Sequence, residues 1–155
     1  MRKLEMSIKI KVPPEKVWEM LAFDRFPEWI DGFIEVEYTS EVNTPEDKYR
    51  VGATAHGTPK IRGKTYKFNC LFEIKESLEN EKITHRIWEK AFRRTMGFQT
   101  TYTLEPFDGG TKLTLVGDLE IPWRILGTIY KALTLRAFRK QLTKLMESLK
   151  TVLEK

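Results

Sequence analysis

The chain has 155 residues and a formal net charge of +5, from 27 Lys and Arg against 22 Asp and Glu. This length fits one domain, residues 1–155, able to bury a real core, and the ordinary apolar content argues against disorder. The single cysteine, Cys70, excludes an intramolecular disulfide, and no stretch is apolar enough to span a bilayer, so a cytoplasmic protein is the expectation.

Residues 2–12 alternate strictly, with Leu4, Met6, Ile8, Ile10 and Val12 on one side and Lys3, Glu5, Ser7, Lys9 and Lys11 on the other. That pattern is a half-buried strand, and without a continuous apolar run it is no signal peptide. Pro13-Pro14 ends the strand and opens a short helix, PPEKVWEMLA, with Glu15 beside its positive dipole end. A second short segment, DRFPEWI, follows with Asp24 as its expected N-cap. From Phe33 the period returns to two, with Ile34, Val36, Tyr38, Ser40 and Val42 on one face. The polar run 43–47 reads as a turn. Tyr49, Val51, Ala53 and Ala55 line the next strand, and Gly57-Thr58-Pro59 with Arg62-Gly63 brackets another turn.

Residues 64–76 form the clearest strand, with Tyr66, Phe68, Cys70, Phe72 and Ile74 together. Residues 82–89 place Ile83, His85 and Ile87 on one side, and residues 95–104 place Met96, Phe98, Thr100, Tyr102 and Leu104 together. Pro106 to Gly110 is a hairpin turn, and Leu113, Leu115, Gly117 and Leu119 line the last strand. Residues 121–155 read as one long helix with Pro122 in its first turn. Its apolar residues form two stripes, Leu126, Ile129, Tyr130, Leu133 and Ala137, then Phe138, Leu142, Leu145, Leu149 and Val152. They are rotated from one another by roughly a third of a turn, so the helix is expected to touch two surfaces.

The order is strand, two short helices, about six more antiparallel strands and a long helix. One apolar face per strand means that one face of the sheet is covered, which is an α+β architecture. A sheet of about seven strands would curl, and the terminal helix is the natural cover for its concave face.

The stretches IKIKVPPEKVWEML, FPEWIDGFIEVE, YRVGATAHG and YTLEPFDGGTKLTL, with the long terminal helix, resemble the helix-grip domains of the SRPBCC superfamily. That group includes START lipid-transfer domains, pollen-allergen-type carriers and polyketide cyclases. The resemblance spans nearly the whole chain. It implies a curved antiparallel sheet wrapped around a long C-terminal helix, with a cavity between them. The ring-hydroxylating oxygenase branch holds iron with two His and a carboxylate. Here His56 and His85 lack that spacing, so no metal is expected.

His85 is the best single candidate for a catalytic acid–base residue, because it shares the face of Ile83 and Ile87 and histidine titrates near neutral pH. The alternatives are a histidine held by hydrogen bonds in the core, or a register in which the face of Trp88 is the inner one. Tyr66, Phe68, Cys70, Phe98, Thr100 and Tyr102 fall on the inward faces of the strands, where hydroxyls among apolar walls orient ligands; the alternatives are ordinary core tyrosines and, for Cys70, an inert small hydrophobe. Trp29, Trp123, Ile129, Tyr130 and Leu133 complete the candidate lining, as a mouth or as a hydrophobic seal. Arg86, Arg93 and Arg94 are candidates to pair an acidic ligand group, although Arg93-Arg94 in EKAFRRTMG fit an exposed turn better.

Searches for a dinucleotide fingerprint, a P-loop, a zinc motif and a nucleophile elbow all fail, so no cofactor is expected. Residues 123–155 carry a net +6 and the remainder −1. This basic helix is a solvated face or a surface for an acidic protein or a transient membrane contact; nucleic acid is not expected. Lys and Glu stand at 17 each against 2 Gln and 3 Asn, a bias reported for thermophile proteins. Three functions follow: a carrier of a small hydrophobic molecule (lipid, polyketide or aromatic compound), a polyketide cyclase or dehydrase, or an interaction module built on the basic helix.

Overall fold

The computed structural model describes residues 3–30, 33–61, 64–65, 70–89, 97–120 and 128–155. At several of these, among them Cys70, Ile129 and Tyr130, the description is of the backbone alone. Strand β1 (Lys3–Ile10) leads into helix α1 (Pro14–Met20), a 3-10 turn (Phe23–Arg25) and the single-turn helix α2 (Phe26–Trp29). Strand β2 (Phe33–Tyr38), a second 3-10 turn (Pro45–Tyr49), and strands β3 (Thr54–Ile61) and β4 (Lys64–Thr65) follow. Then come β5 (Cys70–Leu78), β6 (Lys82–Glu89), β7 (Gly97–Phe107), β8 (Gly110–Glu120) and helix α3 (Thr128–Leu153).

The strands form one curved antiparallel sheet in the order β1-β8-β7-β6-β5-β3-β2, with β4 paired to β3. Register places the apolar residues in rows across the inner face. One row runs Ala55, Phe72, Ile87, Phe98, Leu119. The next runs Ile74, His85, Thr100, Gly117, Leu4, and a third Ile83, Tyr102, Leu115, Met6. The opposite face carries polar neighbours such as Thr84 and Thr101, whose hydroxyls lie 2.9 Å apart. A register shift between Ile74 and Glu76 puts an extra residue into β5, a bulge that bends the strand and increases its twist. Gly109 supplies the positive φ that the β7–β8 hairpin needs.

Helix α3 crosses the inner face at β8. Phe138, Leu142, Met146 and Leu149 are buried, while Leu145 and Val152 are partly covered. Gly117 permits the approach: a Cβ there would stand 2.6 Å from Leu142 Cδ1. The 3-10 turn and α2 cover the same face further along, at β5 and β6. There Phe23 and Phe26 pack on Phe72 at ring separations of 5.4 and 5.7 Å.

Several sequence expectations change. Of the first helix stripe, Leu133 is 58% exposed and Ala137 is exposed, so the described part of α3 buries one stripe, not two. Leu126 lies outside the described residues, as do the side chains of Ile129 and Tyr130. The second half of the helix meets the short helices: the Ser148 hydroxyl donates to the Trp29 carbonyl oxygen. Asp24 caps nothing; it pairs with Lys48 at 2.6 Å, and the turn starts after Ala22. Residues 45–49 wind into a 3-10 turn because Thr44 and Asp47 form a reciprocal capping box ahead of Pro45. Gly57-Thr58-Pro59 stays extended because β2 pairs with it, Val36 opposite Gly57 and Glu35 opposite Thr58. Strand pairing overrides local turn chemistry there.

Candidate ligand-binding site

Among the described residues, the inner face is fully buried at one end and only partly covered at the other. At the buried end, the connection after α1 is tied down by several bonds. The Trp29 indole N–H donates to the Met20 carbonyl at 2.7 Å, and the Phe23 backbone N–H donates to the Tyr38 hydroxyl at 3.0 Å. Trp29 is almost fully buried, edge-on to Phe26 at 5.5 Å. Phe23 and Phe26 thereby close over the second row of the sheet.

At the other end, Ile87, Phe98 and Leu119 sit side by side on β6, β7 and β8 and are only partly covered. Phe98 meets Phe138 of α3 edge-on, with ring centroids 5.5 Å apart. Three adjacent apolar side chains on the inner face, partly covered and roofed on one side by a helix residue, form the wall of a candidate pocket.

One row deeper lie the polar groups. His85 and Thr100 are paired across β6 and β7, and both are completely buried. Neither imidazole nitrogen of His85 has a hydrogen-bond partner, and neither has the Thr100 hydroxyl. Aromatic rings surround the imidazole: Phe23 at 4.9 Å, Phe26 at 5.4 Å and Tyr102 at 5.4 Å. Burial in this apolar shell pushes the His85 pKa down to about 3, because desolvation penalises the charged imidazolium. Tyr102 is buried as well, and burial pushes its phenol up to about 12. The Thr100 hydroxyl approaches that phenol closely enough to offset part of the rise, but not in the geometry of a hydrogen bond.

His85, Thr100 and Tyr102 thus share the inner face, as their alternation implies, and Phe98 stands at its partly covered edge. Cys70 begins β5 at that same end, opposite Gly57 and Glu89. Tyr66, Phe68 and Trp123 lie outside the described residues, as do Arg93 and Arg94. Ile129 and Tyr130 are on the first turn of α3 by backbone. Leu133 faces out, and Trp29 belongs to the seal. Arg86 sits on the outer face, in register with Gln99, so it cannot serve a ligand inside. Ile87, Leu119 and Phe138 join the wall although sequence reasoning did not select them as site residues. Their signal is the cross-strand register, which alternation within one strand does not contain.

The sequence profile of a family described as polyketide cyclase / dehydrase and lipid transport matches residues 1–154. The chain belongs to this family. Solved structures agree on the fold of this polyketide cyclase/dehydrase-family protein. TTHA0849 from Thermus thermophilus is 15% identical, with a TM-score of 0.72 over 98% of this chain and 97% of that one. A START superfamily protein from Mycobacterium smegmatis is 15% identical, with a TM-score of 0.71 and the same coverage. Ara h 8.0201 is 16% identical, with a TM-score of 0.71, again over 98% and 97%. At such identities the likeness is one of fold, the helix-grip fold with its sheet wrapped around the C-terminal helix. A comparison with curated proteins finds no match. Among the described residues no helix is long and apolar enough to cross a membrane, and no group of His, Cys, Asp and Glu is placed to hold a metal.

Proposed function

We propose that the protein binds a small hydrophobic molecule between the sheet and helix α3, at the partly covered end of the inner face. The observation that carries this reading is the partly covered apolar row Ile87, Phe98 and Leu119 under Phe138, directly above buried polar groups without partners. Covering that row removes apolar area from water, which favours binding by about 25 cal/mol per Å² before ordering costs. The family description, cyclase and lipid transport, agrees with a pocket for an apolar cargo.

Binding is favoured here over acid–base catalysis. An acid–base residue works best with a pKa near the operating pH, and burial holds His85 far below it. Titration with the uncharged dye N-phenyl-1-naphthylamine tests the binding reading. Saturable, blue-shifted emission is expected, weakened at least about tenfold by Leu119→Asp, which buries a carboxylate in the wall. Emission that does not saturate, or is untouched by the substitution, would sink it.

A second reading rests on α3. Arg136, Arg139, Lys140 and Lys144 are all exposed, beside the exposed Leu133. Such a face suits an anionic partner, a membrane surface or an acidic protein. Reversing charge at Arg139, Lys140 and Lys144 should abolish salt-sensitive binding to vesicles containing phosphatidylserine; unchanged vesicle binding would remove the lipid version.

A further inference from the structure

The buried pair His85 and Thr100 limits what the pocket can hold. A neutral imidazole offers one N–H donor and one acceptor nitrogen, and a threonine hydroxyl can do both. Two such groups side by side, fully buried and without partners, leave hydrogen-bonding capacity unused. The described residues of the two inner rows nearest the partly covered end carry no charge: Ala55, Phe72, Ile87, Phe98 and Leu119 above, Ile74, His85, Thr100 and Gly117 below. Burial keeps His85 neutral at physiological pH. Among these described residues a carboxylate or phosphate would find no counter-charge, and a buried unpaired charge is strongly unfavourable. An ether or ketone accepts but cannot donate, and so leaves the imidazole acceptor unmet.

We propose that the ligand carries an uncharged hydroxyl, as an alcohol or a phenol, which accepts a hydrogen bond from Thr100 and donates one to His85. This rests on the reading of the partly covered inner face as the binding site and narrows its ligand class. As the protein stands, the two groups are closed off from solvent. The partly covered ring of Phe98, two residues along β7 from Thr100, must turn aside for the hydroxyl to reach them.

The test is calorimetric titration with four probes of one shape: naphthalene, 2-methoxynaphthalene, 2-naphthol and 2-naphthoate. The wild-type protein should bind 2-naphthol at least about tenfold more tightly than naphthalene or its methyl ether, with 2-naphthoate weakest. Thr100→Val is nearly isosteric and removes an unpartnered hydroxyl, so it should fold with a Tm at or above wild type. It should bring 2-naphthol to within about twofold of naphthalene. His85→Phe, which keeps a ring, should have the same effect on selectivity. Equal wild-type affinity for naphthalene and 2-naphthol would overturn the proposal, as would a preference that survives both substitutions. In either case the pocket itself stands, since naphthalene binds. If no probe binds, the pocket reading falls and this inference with it.

Discussion

Gly117 on β8 lies directly under Leu142 on α3, so close that a methyl group at Gly117 would stand 2.6 Å from Leu142 Cδ1 and 3.1 and 3.2 Å from ring atoms of Phe138. The missing side chain sets the distance between helix and sheet, and through Phe138 it positions the roof over Phe98. Gly117→Ala should therefore destabilise the fold by about 1–3 kcal/mol through overpacking, read as a lower midpoint in urea unfolding. An unchanged midpoint would mean that the helix is not held at this spacing.

Burial of His85 has a pH signature. In the unfolded chain the imidazole takes up a proton near its ordinary 6.5; in the folded protein it does so only near 3. Between these values the unfolded state holds the extra proton, so acid favours unfolding. The contribution is complete above pH 6.5 and is lost as the pH falls toward 3. The rings around His85, Phe23, Phe26 and Tyr102, bring no charge to offset this. Moving from pH 7 to pH 5 should cost the wild type about 2 kcal/mol more stability than it costs His85→Phe. Parallel pH profiles of unfolding free energy for the two proteins would contradict the sealed, neutral histidine.

Along α3, burial separates residues that the sequence treats alike. Leu149 is fully buried, Leu145 is partly covered, and Leu133 is 58% exposed. Leu149→Ala should cost about 2–5 kcal/mol, Leu145→Ala clearly less, and Leu133→Ala within about 0.5 kcal/mol of nothing. Chemical denaturation of the three variants checks the order; a large loss at Leu133 would mean that the helix face is covered in solution.

The parts of the fold carried by short-range periodicity were legible in the sequence. The alternation from Leu4 to Ile10 and from Phe98 to Leu104 specified strands and their inner faces, and the 3.6-residue spacing from Phe138 to Leu149 specified the helix and its buried side. His85 and Thr100 could be assigned to the inner face on the same ground. Features set by long-range pairing were not legible. Gly57-Thr58-Pro59 has the chemistry of a turn, and only its pairing with β2 keeps it extended. Leu133 continues an apolar stripe, yet the sheet leaves it exposed. Ile87 and Leu119 become neighbours of Phe98 through the registers of β6 and β8 with β7, which no single strand encodes. The lack of any partner for His85 depends on Phe23 and Phe26 folding over it from some sixty residues away in sequence, a consequence of packing alone.

A small apolar molecule is expected to bind against Ile87, Phe98 and Leu119. The most direct measurement is a methyl NMR titration of protein labelled at Ile, Leu and Val methyls, using naphthalene as the probe. Saturable shifts are expected at the methyls of Ile87 and Leu119, with those of the exposed Val51 and Leu78 unmoved. Shifts confined to Val51 and Leu78, or no shift at any methyl at the solubility limit of naphthalene, would contradict it.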